Sequence, residues 1–114
     1  MTQKERRKHA RKDVLDTFHV FIAIPKKGSR KIYLKDVSEG GVGLQADPED
    51  DFKSGETFKC EFYINPSLKL PLELKVCRVD PGKVGCELAS TAGNAYKAYV
   101  AFISLLDQLA EFVD

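Results

Sequence analysis

The chain is poor in the residues that build metal centres, disulfide frameworks and most catalytic sites. Its three cysteines, Cys60, Cys77 and Cys86, are odd in number and form no C-x-x-C pair. A disulfide framework and a zinc site are therefore not expected, and all three read as small reduced hydrophobes in strands. Cys77 alone breaks the alternation around it. Histidine occurs only at His9 and His19, too isolated for a metal site or a catalytic base. The carboxylates of "DPEDD" at 47–51 lack the spacing and the glycine of a calcium-binding loop. Ser38 has no histidine at a recognisable spacing and sits in no nucleophile-elbow pattern, so the chain is not expected to be an enzyme. Long apolar runs are also missing. No segment approaches the length of a membrane span, and the N-terminus carries no apolar signal-peptide core, so a cytoplasmic protein is expected.

What the chain does have is an uneven distribution of charge. It is 114 residues long, 43% apolar and 31% charged, ordinary values for one soluble domain. Its net charge is only +1, yet residues 4–12 hold six Lys or Arg against one acid, a local +5 that leaves −4 on the remainder. A basic segment, "ERRKHARKDV" at its centre, on a mildly acidic body points to an anionic partner. Residues 1–13 show no apolar periodicity and read as a solvated, flexible arm.

Beyond the arm the hydrophobic pattern is period two. Phe18, Val20, Ile22 and Ile24 alternate with Thr17, His19, Phe21 and Ala23, and Pro25 ends the run. "KIYLKDV" places Ile32 and Leu34 on one face, and "GVGLQA" is a third short strand. "ETFKCEFYI" alternates most cleanly, with Phe58, Cys60, Phe62 and Ile64 inward. "LPLELKVCRV" carries Leu72, Leu74 and Val76 inward, and "DPGK" is a type II turn into the last strand, "VGCEL". Six short strands at this spacing indicate a small antiparallel barrel or sandwich. From Gly93 the period changes. Tyr96, Tyr99, Ile103, Leu106, Ala110 and Val113 form one helical stripe, and Ala95, Ala98, Phe102, Leu105, Leu109 and Phe112 a second. Either both stripes are buried within the molecule or the second packs on another copy of the chain as a homodimer.

Two motifs carry chemistry. Arg7 and Arg11 stand four apart with Arg6 just before them, and "DVSEGGVGL" supplies Asp36, Ser38, Gly40, Gly41 and Gly43. A guanidinium forks onto phosphate, pairs with the O6/N7 edge of guanine, or lies flat on its ring. An ionised Asp36 accepts only, which suits the N1–H and N2–H donors of guanine. Ser38 donates to phosphate or base, and Gly41 keeps the backbone approachable. Taken singly, each element has a plainer account, a solvated arm in one case and a glycine-rich turn in the other. Taken together they describe a guanine-nucleotide site.

At these residues the chain resembles the PilZ domain family, which binds the bacterial second messenger cyclic di-GMP. That family is marked by R-x-x-x-R, here Arg7-Lys8-His9-Ala10-Arg11, and by D/N-x-S-x-x-G, here Asp36-Val37-Ser38-Glu39-Gly40-Gly41. The resemblance runs from about Glu5 to the end. It implies a mostly β fold, a six-stranded antiparallel PilZ-type barrel over about 16–89. A C-terminal helix over about 93–113 follows, and residues 1–13 form a flexible arm ahead of a body spanning 14–114. It further implies that Arg7 and Arg11 clamp phosphates and guanines, that Asp36 and Ser38 read a guanine edge, and that Gly40 and Gly41 leave the surface open. In the family, an arginine at the place of Arg6 tends to accompany an intercalated cyclic di-GMP dimer. The expected function is a stand-alone receptor that changes shape on binding this ligand and signals to a downstream protein. No metal or other cofactor is expected. A scaffold that has lost nucleotide binding is one alternative. A nucleic-acid binder is disfavoured, because the body is acidic and shows no evident aromatic–basic platform.

Overall fold

The computed structural model describes residues 3–112, with side chains from Ala10 onward. Eight main elements follow in order: α1 (Gln3–Phe18), β1 (Phe21–Ala23), β2 (Ile32–Ser38), β3 (Gly41–Leu44), β4 (Thr57–Asn65), β5 (Leu68–Asp80), β6 (Lys83–Leu88) and α2 (Asn94–Ala110). The strands close into an antiparallel barrel in the order β1-β2-β3-β6-β5-β4, with β1 pairing β4 to complete the ring. Closure leaves no open sheet edge. Inward residues follow the alternation of the sequence. Phe58, Cys60 and Phe62 on β4, Leu72, Leu74 and Val76 on β5, and Val84, Cys86 and Leu88 on β6 are all buried. The Asp80–Lys83 turn has Gly82 at φ +77°, the left-handed position that a type II turn demands.

The N-terminal segment differs from expectation. Residues 1–13 read as a structureless arm, but α1 is a helix from Gln3, running through the place where the first strand was expected to begin. Apolar periodicity cannot detect such a helix, because it is polar nearly all round. Its Gln, Lys, Glu, Arg and Ala residues are nonetheless strong helix formers, with no proline or glycine among them. The last turns hold it to the barrel through the buried Val14 and Leu15. A Schellman motif ends it: His19 N–H donates to the Asp16 carbonyl (3.2 Å) and Val20 N–H to the Leu15 carbonyl (3.1 Å). His19 takes the left-handed conformation, φ +56°, where glycine is usual. Phe18, expected in the first strand, is instead 42% exposed at the helix end, and β1 shrinks to Phe21–Ala23.

Helix α2 covers the barrel core. Tyr99, Phe102, Ile103 and Leu106 are its buried face, and Phe62 meets Tyr99 and Phe102 edge-on at 5.4 and 5.9 Å. That face lies between the two expected stripes. Leu105 and Phe112 of the second stripe stand exposed, and Val113 lies outside the described residues. Among the described residues no helix is long and apolar enough to cross a membrane.

Candidate functional site

Strict alternation along β2 would turn Asp36 to the same side as Ile32 and Leu34, into the core. A β-bulge between Leu34 and Asp36 prevents this. Two successive residues, Lys35 and Asp36, then face outward, while Val37 turns in and is buried. Asp36 and Ser38 thus share the outer face. Asp36 lies opposite Gly43, Gly43 opposite Gly85, and Gly85 opposite Arg78, so one cross-strand row has no side chain at its two middle positions. A second bulge, between Val76 and Arg78 on β5, turns Cys77 outward. Cys77, the cysteine that breaks the alternation of the sequence, is accordingly exposed, while Cys60 and Cys86 are buried. Burial pushes the thiols of Cys60 and Cys86 up to about 12, so neither is a reactive thiolate.

The result is an open concavity of about 330 Å³ over β2, β3, β6 and β5, with Asp36, Ser38, Gly41, Gly43, Lys83 and Gly85 on its surface. Two glycines here hold space that a side chain would have to share with a neighbour. A methyl group on Gly41 would overlap the Cys86 carbonyl oxygen of β6, and one on Gly43 would stand 2.6 Å from Asp36 Oδ1. Gly43 therefore lets the Asp36 carboxylate lie across β3, a role its place in "GGVGL" did not reveal. Gly40, by contrast, has open space where a methyl would sit. Asp36 is not unpartnered: Lys83 Nζ donates to its Oδ2 at 2.7 Å.

Arg11 reaches this region from α1. Its Nε and one terminal nitrogen donate to Asp107 of α2 at 2.5 and 2.7 Å, and the other terminal nitrogen donates to the Val37 carbonyl at 3.2 Å. One guanidinium thus joins α1, α2 and the backbone between Asp36 and Ser38. The hydrogen-bonded Asp107 carboxylate holds it protonated even more firmly than an ordinary arginine. Arg6 and Arg7 lie on the same helix, and their side chains are outside the described residues. The motif backbone is tied to α2 a second time. The fully buried Tyr99 hydroxyl donates to the Ser38 carbonyl at 2.7 Å and also lies 3.0 Å from that of Gly41. Burial raises the pKa of this phenol, which stays a donor.

Other surfaces offer less. A hollow of about 330 Å³ beside the Asp80–Lys83 turn is bordered by Asp47, Asp51 and Asp80, a setting that repels anions. Among the described residues no group of His, Cys, Asp and Glu is arranged to hold a metal ion. An aromatic–cation cluster absent from the sequence reading stands on β1, β2 and β4. Phe21 stacks on Tyr63 at 4.6 Å and meets Tyr33 edge-on at 6.0 Å, with Lys31 over Phe21 and Lys69 over Tyr63. Phe21 is buried at the centre of this cluster, while Tyr33 is 45% exposed.

A family model described as the PilZ domain matches residues 5–105 of the chain. Among solved structures, the fold is similar to an uncharacterized Legionella protein, at 10% identity and a TM-score of 0.58, over 81% of this chain and 89% of that one. It is also similar to the PilZ domain of CeSA from a cellulose-synthesizing bacterium, at 16% identity and a TM-score of 0.52, over 75% of this chain and 90% of that one. At such identities these likenesses bear on the fold alone. No curated protein matches the chain in sequence.

Proposed function

The chain belongs to the PilZ domain family, a family of binding and adaptor domains, and from that membership and the site geometry we propose that it is a cyclic di-GMP receptor. The observation that carries the reading is the glycine-floored trough with the Asp36 carboxylate turned onto it by a bulge. A flat purine can settle on bare backbone, where any larger residue at Gly43 would hold it off. Asp36 then accepts from N1–H and N2–H of guanine, and the exposed Ser38 donates to phosphate or base. Arg11, with Arg6 and Arg7 from the same helix, supplies guanidinium groups for the phosphates and the guanine faces.

Arg11 is already committed to Asp107 and Val37, so a ligand that recruits it must compete with both. Taking the guanidinium from Asp107 loosens a tie between α1 and α2. The change transmitted to a downstream protein is then the repositioning of a helix rather than the ordering of a coil.

Calorimetric titration with cyclic di-GMP tests the reading. Binding is expected with two ligand molecules per chain, because Arg6 adds a further charge and stacking face for an intercalated dimer. No heat and no thermal shift at large ligand excess would end the receptor reading, whereas one ligand per chain would remove only the dimer. Asp36→Ala should relax discrimination against cyclic di-AMP more than it weakens phosphate attraction, since the carboxylate binds the base and repels the phosphates. Equal loss for both dinucleotides would show that Asp36 is not the base-reading group.

A further inference from the structure

We infer that Lys83 is a member of this ligand site, donating to a phosphate oxygen of the bound nucleotide from the side of the trough formed by β6. The inference rests on the receptor reading above. Among the described residues that line the concavity, only Asp36 and Lys83 are charged, and Lys83 is the cation. Its ammonium group has three donors. One is directed to Asp36 Oδ2, and the side chain remains 40% exposed, so the group is not sealed against that partner.

The base of the side chain is well fixed. Lys83 follows the glycine turn and pairs with Asp80 in the β5–β6 ladder, which sets where its stem leaves the sheet. Two other cations stand near and are placed differently. Arg78 is directed to Asp80, with Nε 2.7 Å from its carboxylate, and its side chain is 79% exposed. Lys35 Nζ stands against the turn itself, 3.9 Å from where a methyl on Gly82 would sit, and Lys35 does not line the concavity.

The chemistry of the ligand gives Lys83 its task. Asp36 suits the donors of guanine but is a negative charge in a site that must accept phosphates. A cation bonded to that carboxylate offsets the repulsion, and its remaining donors can bind a phosphate oxygen without releasing Asp36. Recognition of base and anion is thereby compatible in one shallow trough. The R-x-x-x-R segment need not neutralise the phosphates alone.

The test is a double-mutant cycle on the full chain, read by titration with cyclic di-GMP, with melting curves to confirm folding. Lys83→Met should weaken binding roughly ten- to a hundredfold, the range for a lost charge-assisted hydrogen bond. A loss should persist when Asp36 is already Asn, reduced by the part that Lys83 owes to offsetting the Asp36 charge, and Lys83→Arg should restore most of the affinity. Phosphorus NMR of the ligand-saturated protein provides a second readout, in which Lys83→Met should move the bound phosphate resonance. A residue that only orients Asp36 would show no further loss in the Asp36→Asn background and no phosphate shift, and either result overturns the inference. Unchanged affinity in Lys83→Met overturns it too. Failure of the unaltered protein to bind is a separate outcome, which removes the receptor reading and this inference together.

Discussion

Arg11→Ala is expected to lower cyclic di-GMP affinity by roughly two to three decades, the consequence of losing about 2–5 kcal/mol when a buried charge pair with the ligand is truncated. The same substitution acts on the protein without ligand. Arg11 forks onto Asp107 and also holds the Val37 carbonyl, with only 18% of its side chain exposed against 34% for Asp107. A pair exposed to this degree contributes about 1 kcal/mol or less, well below a sealed ion pair. Melting should therefore fall by only about 4 °C, because the barrel core beneath does not depend on it. Asp107→Asn separates the two roles. If Asp107 holds Arg11 back from the ligand, weakening its grip should raise affinity. If affinity drops instead, Asp107 assists binding and the competition model is wrong. Calorimetry and thermal melts on the two variants decide the matter.

The second large effect concerns stability. Gly41→Ala should destabilise the fold by at least the ~1–3 kcal/mol typical of overpacking, a substantial part of the roughly 5–15 kcal/mol that holds a domain together. The added methyl meets the Cys86 carbonyl oxygen, with Cys86 C and Glu87 Cα each at 3.2 Å. These are backbone atoms in the ladder that pairs Gly41 with Glu87 and Val42 with Cys86, so they cannot yield without breaking sheet pairing. Gly43→Ala should behave differently. Its methyl would displace the Asp36 carboxylate, a side chain able to move, so the fold should persist while ligand affinity falls. Gly40→Ala, with open space at the methyl position, should leave stability close to that of the parent. Urea denaturation of the three variants, paired with titrations, reads both effects. A Gly41→Ala protein as stable as the parent would refute the clash.

Much of this was legible from local order in the chain. On β4, Phe58, Cys60 and Phe62 alternate with polar neighbours, and a half-buried sheet imposes that period of two. The change to helical spacing after Gly93 and the turn at Pro81–Gly82 are equally local. The helix Gln3–Phe18 was hidden because periodicity reports burial, and most of this helix has little to bury; only propensity marks it. His19 concealed the helix end by taking a conformation normally left to glycine.

The site itself divides in the same way. Residue types and spacing within the chain determined which groups are present: closely spaced arginines, a carboxylate, and glycines that leave backbone bare. Those are properties of single residues and short intervals, and they need no partner to be read. Where the groups point, and what occupies them before a ligand arrives, only the tertiary structure decided. The outward turn of Asp36 depends on a bulge set by pairing β2 with β3. Its bond to Lys83 spans 47 positions of the chain, and that of Arg11 to Asp107 spans 96. Such contacts form only when the closed barrel brings distant segments together, and no periodicity in the chain encodes them.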